Sequence, residues 1–362
     1  MANKLETARE IINGVDKEMA ALFVKRMQAA EMVAEYKKEH GLPIYDPVRE
    51  DEILRKRSEL IEDCEIREFF VNFIQNNMAL SRAYQHRLLK GMKVAYAGIE
   101  GAFAHIAAKK LFPDAEMIAC SDFSAAYRAV EAGECDVCVL PVENSYNGEV
   151  GQVTDLMFSG SLYINGMYDL SVTQDLLALE GASISDIKEV VSHPQAFGQC
   201  ADYINKHGFV RHEFPNTALA ARYVKEKADK SVAAIASKEA AEIFGLSVLD
   251  HDINESKSNS TRFAIFSRAS SINQERRGDI HSILLFTVKN EAGALAKAID
   301  IIGKYGFNMR TLRSRPMKEL VWQYYFYIEI EGNIQSDKGK SFMEELGEYC
   351  DRLKFAGTYV KI

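Results

Sequence analysis

Cysteine is scarce in this sequence, six in 362 residues. That is too few for a disulfide framework in a chain of this length, so a reducing cytoplasm is the expected compartment. No apolar stretch approaches the roughly 18 residues that a spanning helix needs. The opening Met-Ala-Asn-Lys-Leu-Glu turns charged too early for a secretion signal. Basic charge is also short: 44 Lys and Arg face 52 Asp and Glu, a formal net charge of −8, with no Lys/Arg run. Neither nucleic acid nor a membrane is therefore an expected partner. The first 90 residues hold only Gly14, Gly41, Pro43 and Pro47, and the other 20 of the 22 glycines follow. This contrast separates a helical segment, 1–91, from an α/β body.

What is present begins with a period. Leu5, Ala8, Ile12, Val15, Met19 and Leu22 form a heptad seam. It predicts a helix to about His40, where Gly41-Leu42-Pro43 stops it. Asp46-Pro47 supplies the N-cap and first residue of a short second helix. A third is expected from about Glu59 to Leu89, with Phe70, Ile74, Met78 and Leu88 along one face. The first helix would be roughly 50 Å long, against a radius of gyration near 12 Å for a compact domain of this size. Its two shorter neighbours cannot cover it, so two chains are expected to intertwine, making the protein at least a dimer.

The seam continues into Arg26, and an arginine on an apolar stripe is costly unless an anion meets it. Lys37 points within about 20° of Arg26, whereas Arg9 is turned by roughly 100° and could reach a neighbouring chain. Ser81 and Gln85 are an i,i+4 pair on the third helix, and Asp46, Arg49 and Glu50 share a face of the second. Surface salt bridging would explain any one of these charges. Several donors converging on an apolar interior suit a small dianion better.

This constellation resembles the all-helical chorismate mutases. The resemblance implies that Arg9 and Arg26 clamp the carboxylates of chorismate, while Lys37 and Gln85 donate to its breaking ether oxygen. Glu50 and the backbone at Asp46 would hold the ring hydroxyl, with Arg49 and Ser81 completing the shell. The rearrangement to prephenate is pericyclic, so neither metal nor cofactor is implied. The site must hold the compact conformer and stabilise charge on the ether oxygen.

From Lys93 to about Phe266 strand and helix signals alternate, predicting α/β architecture with a parallel sheet. Four polar loops at strand ends are candidate site segments: Gly98–His105, Pro141–Gly148, Ser192–Ala196 and Asn259–Phe263. In this order they resemble prephenate dehydratase. The matching residues are Gly98/Gly101/Phe103, Glu143-Asn144-Ser145/Gly148, Ser192–Ala196, Asn216-Thr217-Ala218, Ala233–Ser237 and Thr261-Arg262-Phe263. Ala102, Ala104 and Asn216 stand where that family has hydroxyl residues. The resemblance implies a domain at 92–268 with two lobes around a cleft, like a periplasmic binding protein. Thr261 would sit at the leaving hydroxyl of prephenate, with Asn144, Ser145, Thr217 and Arg262 as substrate contacts. Arogenate, which differs by one amino group, fits the same motifs. Cys135 and Cys138 have CxxC spacing but no second pair, which predicts buried thiols. His193 could be an acid or base or a structural residue of its Pro turn.

Ser267–Asp279 reads as a linker, and 279–362 scans as βαββαβ, a ferredoxin-like order. With Gly293-Ala294-Leu295 opening its first helix, this segment resembles an ACT domain, a module that senses amino acids. The resemblance implies a phenylalanine site between paired modules, lined by Gly293, Ala294 and Leu295 of a first motif and by Ser314 and Arg315 of a second, Arg313-Ser314-Arg315-Pro316. Arg313 replaces the acid usual in the second motif, which should alter recognition of an ammonium ligand. The whole reads as a bifunctional enzyme of phenylalanine biosynthesis, with chorismate and prephenate as substrates and phenylalanine as effector. The rivals are a sensor that binds an aromatic acid without chemistry, disfavoured by the intact Thr261 motif, and a dehydratase whose helices only dimerise.

Overall fold

A computed structural model describes residues 3–256, 258–270, 279–317 and 323–360. The chain divides after Lys93 into two compact units. The first is three helices: α1 (Lys4–Glu39), α2 (Pro47–Ser58) and α3 (Cys64–Lys90). Asn3 caps α1 with a capping box to Glu6, and Asp46 caps α2 with Pro47 behind it, as its sequence predicts. Gly41, at φ +63°, sits in the turn that ends α1. Only Ala30 and Ala34 of α1 are buried, while Leu5, Ile12, Val15, Met19 and Leu22 of the seam are 41–64% exposed.

The second unit begins with a mixed sheet. Its strands are β1 (Lys93–Ala97), β2 (Glu116–Cys120), β3 (Val137–Asn144), β4 (Gly148–Glu149) and β5 (Tyr163–Ser171), joined through α4 (Phe103–Leu111), α5 (Phe123–Glu131) and α6 (Gly151–Ser159). A second lobe holds β6 (Asp175–Ala178), β7 (Glu189–Ser192), α7 (Pro194–Gln199), α8 (Ala201–His207), β8 (Val210–Glu213), α9 (Thr217–Lys227), β9 (Val232–Ala236), α10 (Lys238–Phe244) and β10 (Ser247–Asp250). The chain then returns to the first lobe as β11 (Ser260–Ser267), giving the orders β2-β1-β3-β11-β5 and β10-β6-β9-β7-β8. The expected parallel pairing holds for β1 with β3 and for β7 with β8 and β9, but both sheets are mixed. β11 runs antiparallel to both β3 and β5, and β6 antiparallel to β9 and β10, because each joins its sheet from the other lobe rather than through a helical crossover. Cys135 and Cys138 are both buried.

The C-terminal module follows the predicted βαββαβ order: β12 (Ile280–Val288), α11 (Ala294–Lys304), β13 (Met309–Pro316), β14 (Tyr324–Glu331), α12 (Asp337–Tyr349) and β15 (Cys350–Val360). Its antiparallel sheet runs β13-β14-β12-β15. Most of the expected linker, 271–278, and the expected start of β14 at Val321 lie outside the described residues. One face of this sheet packs on α11 and α12 through Leu284, Phe286, Ile301 and Phe342. The other face sends Ile283, Leu285, Tyr325 and Tyr327 into the apolar core of the first lobe, beside Met157 and Phe158 of α6. Gly357 makes this approach possible: a Cβ there would lie 2.2 Å from the Ile164 carbonyl, at φ +145°.

Candidate active sites

In the helical unit the apolar face of α3 carries Asn77, Ser81 and Gln85, each buried, one turn apart. Arg26 of α1 reaches across to them, donating to the Asn77 carbonyl at 2.9 Å and to Ser81 Oγ. Burial, and then the like charge of Arg57, pushes the Arg26 guanidinium below its ordinary value, the signature of a cation short of a counter-ion. Gln85 Oε1 is buried with no hydrogen-bond partner. Lys37 is half-buried and donates to the Ile44 carbonyl at 2.5 Å. Glu50 pairs with Arg82, whose guanidinium lies 5.2 Å from the Tyr45 ring centroid. Asp46 is spent on its cap, accepting from the Arg49 amide at 3.0 Å. Arg49 lies on the exposed side of α2, 2.7 Å from Glu52, and Arg9 is exposed on α1. Arg82 and Asn77 were not singled out from the sequence. Their spacing from Met78 and Ser81 on a buried face was the available signal.

Between the lobes of the second unit lies a cavity of about 500 Å³ lined by Thr261, Asn144, Thr217, Glu149, Gln174, His193 and neighbouring groups. Thr261 stands on β11, and its Oγ1 accepts from Asn144 Nδ2 at 2.9 Å, which leaves its own hydrogen free to be donated. Asn144 is fully used as a hub. Its two amide hydrogens are shared among Thr261 Oγ1, Asn259 Oδ1 and the Ser260 carbonyl, and its oxygen accepts from the amides of Tyr146 and Asn147. Thr217 opens α9 behind its cap Asn216. His193 Nδ1 accepts from the Gln195 amide at 3.2 Å, and burial lowers its pKa, so the ring is held neutral with Nε2–H as its donor.

Two of the expected contacts lie outside this cavity. Arg262 does not line the cavity. On a strand Thr261 and Phe263 share one face and Arg262 takes the other, where it meets Asp169 at 3.1 Å, Glu143 at 3.7 Å and Glu329 at 3.9 Å. Ser145 is also outside the cavity, its hydroxyl clasped between the Ser258 carbonyl and the Ser260 amide.

The cavity is lined by no Lys or Arg among the described residues. The starts of α4, α6 and α9 open onto it instead, and α4 and α6 have no side-chain cap. Their first-turn amides are available to an anion. Glu149 and Gln174 were missed in the sequence. Each has a buried Oε1 without a hydrogen-bond partner, and Gln174 Nε2 reaches Gln199 at 3.3 Å.

In the C-terminal module Leu295 lines a cavity of about 390 Å³ together with Asn290, Glu291, Tyr324 and Phe326, behind Gly293 and Ala294 at the start of α11. The second motif, Arg313-Ser314-Arg315-Pro316, lies elsewhere in the single module. Arg313 and Arg315 alternate onto the face of β13 that meets the first lobe, while Ser314 is exposed. Arg313 pairs with Glu143, and Arg315 with Asp155 at 3.0 Å. Neither arginine, nor Ser314, lines the cavity beside Leu295.

A helical unit that half-buries Arg26 against a polar stripe, and a two-lobed cleft with a donor threonine, are the two candidate sites. Residues 8–86 match chorismate mutase type II, and residues 94–271 match prephenate dehydratase. A bifunctional chorismate mutase/prephenate dehydratase of Aquifex aeolicus is 31% identical over 99% of this chain and 98% of its own length. Arogenate dehydratase 2 of Petunia hybrida is 33% identical over 74% of this chain and 71% of its own. Among solved structures, prephenate dehydratase of Arthrobacter aurescens in complex with L-Phe is similar, with 27% identity and a TM-score of 0.68, covering 74% of this chain and 89% of that one. The chain belongs to the family of bifunctional chorismate mutase/prephenate dehydratases, enzymes of phenylalanine biosynthesis that combine an isomerase with a lyase.

Proposed function

We propose that chorismate rearranges in the helical unit, about residues 1–91, and that prephenate reacts in the cleft of residues 92–268. In the first site Arg26 and Lys37 take the carboxylate and ether-oxygen side of chorismate, with Gln85 as the neutral donor and Glu50, braced by Arg82, at the ring hydroxyl. The exposed seam of α1 suits a second chain, which would bring Arg9 to this pocket. In the cleft the carboxylates of prephenate meet the first-turn amides of α4, α6 and α9, and Thr261 donates to the departing hydroxyl while CO₂ leaves. Aromatisation to phenylpyruvate supplies the driving force. Residues 279–362 act as an ACT-type module that binds phenylalanine beside Leu295, as the L-Phe complex of the related dehydratase suggests. The six cysteines would stay reduced in a cytoplasm.

The observation that carries this reading is the Thr261 hydroxyl, oriented by Asn144 at the wall of a cleft whose charge comes from helix starts. Incubating the full chain with chorismate and reading phenylpyruvate by its absorbance in base tests it. Wild type should convert chorismate through to phenylpyruvate, and Thr261→Val should stop at accumulated prephenate. Phenylpyruvate formation by Thr261→Val at the wild-type rate would refute the assignment.

A further inference from the structure

Glu149 places a carboxylate in the wall of a cleft proposed to hold a dianion. Its side chain is only 18% exposed, and Oε1 is buried without a hydrogen bond. A negative group so placed opposes a doubly negative substrate unless its charge is cancelled. The group that cancels it comes from the C-terminal module: Arg315 Nε lies 3.7 Å from Glu149 Oε1. This guanidinium is itself held by Asp155 Oδ1 at 3.0 Å, which also accepts from the Tyr325 hydroxyl at 2.7 Å. It lies flat against the start of α6, where a Cβ on Gly151 would fall 2.1 Å from it. A cation is normally unwelcome at the positive end of a helix. Here two carboxylates, Glu149 and Asp155, hold it there.

The rest of the module grips the same helix. Arg352 donates to the Phe158 carbonyl at 3.0 Å, Lys354 donates to the carbonyls of Met157 and Gly160, and Tyr325 stacks on Phe158 with centroids 4.2 Å apart. Helix α6 therefore has its start in the cleft and its remaining length in the module's hold.

We propose that Arg315 of the C-terminal module is a positioning residue of the dehydratase cleft, acting through Glu149, whose charge it neutralises where prephenate binds. The proposal rests on the assignment of that cleft to prephenate. It makes the module part of the binding site for substrate, whatever effector it also senses.

The test is steady-state kinetics of the full chain on prephenate. Arg315→Gln should raise KM at least about tenfold with kcat changed less than about threefold, the pattern of a lost binding term. Adding Glu149→Gln to that variant should bring KM back to within about threefold of wild type, because the unbalanced charge is gone. A packing role for Arg315 through Asp155 alone would show no such rescue. Should Arg315→Gln fail to fold, Glu149→Gln alone decides, since it takes one negative charge from the wall while Asp155 keeps Arg315 paired, and it should lower KM at least about threefold. An unchanged KM in Arg315→Gln, an unrescued double variant, or an unchanged or raised KM in Glu149→Gln overturns the proposal. Failure of the underlying assignment looks different: wild type would then form no phenylpyruvate from prephenate.

Discussion

Replacing Arg26 by alanine separates scaffold from catalyst in the helical unit. The guanidinium bonds the Asn77 carbonyl and Ser81 Oγ. The Ser81 hydroxyl already donates to that carbonyl at 3.1 Å, so removal costs the fold only about 1 kcal/mol. The cost to catalysis is larger. A unit charge about 4 Å from a carboxylate is worth roughly 4 kcal/mol at an effective dielectric near 20. Water entering the space left by the side chain returns part of this, leaving about 3–4 kcal/mol, or a fall of about 10²–10³ in kcat/KM for chorismate at 1.36 kcal/mol per factor of ten. Arg26→Lys keeps the charge but loses the planar fork and should recover part of the loss. Chorismate consumption is the assay, and the rate of phenylpyruvate formation from prephenate in the same preparation is the control. A fall of less than about tenfold, or an equal fall in both activities, refutes a substrate-binding role for this cation.

Further consequences can be measured directly. Burial lowers the pKa of both His105 and His193, so the unfolded chain binds more protons below the ordinary histidine value near 6.5. The stability these neutral rings contribute is present above that pH and lost as pH falls toward the depressed folded values. Tm should drop between pH 7 and 5, less steeply in His105→Gln, and an identical slope would remove His105 as the cause. Gly357→Ala forces a Cβ to 2.2 Å from the Ile164 carbonyl and should cost at least about 2 kcal/mol by denaturant unfolding of the second unit. A smaller loss would mean that β15 and β5 part easily. Leu22→Asp on the exposed seam of α1 should shift the chain toward monomer in sedimentation and lower mutase activity. A dimer with full activity would place the interface elsewhere.

The elements most legible in the sequence were those whose signals are local. Asp46-Pro47 sets the start of α2 by capping chemistry alone, and the βαββαβ order follows from periods within each segment. The seam of α1 was equally plain, and it is exposed in the single chain. Thr261-Arg262-Phe263 is one block in the sequence, yet period-two alternation sends Arg262 to the face opposite Thr261. The same alternation turns Arg313 and Arg315 toward the first lobe. Glu149, Gln174 and Arg82 were hidden for another reason. Each is made important by a partner more than 30 residues distant, or by burial that no local pattern announces. The mixed sheet was hidden likewise, since β11 joins the first lobe only after the chain has built the second.

As proposed, the two sites treat a dianion in opposite ways, and the reactions explain why. Chorismate keeps both carboxylates throughout its rearrangement while charge grows on the ether oxygen, so fixed cations such as Arg26 and Lys37 would hold the substrate and stabilise the transition state together. Prephenate instead loses one carboxylate as neutral CO₂. A guanidinium fixed on that group would bind the ground state more tightly than the transition state and slow the reaction. Helix-start amides give a weaker, more diffuse positive field, which is the field a cleft needs when it must admit an anion and then let its charge disappear. Holding Arg315 behind Glu149 rather than in the cleft fits the same logic: its charge sets the potential of the wall without forming an ion pair to the departing group.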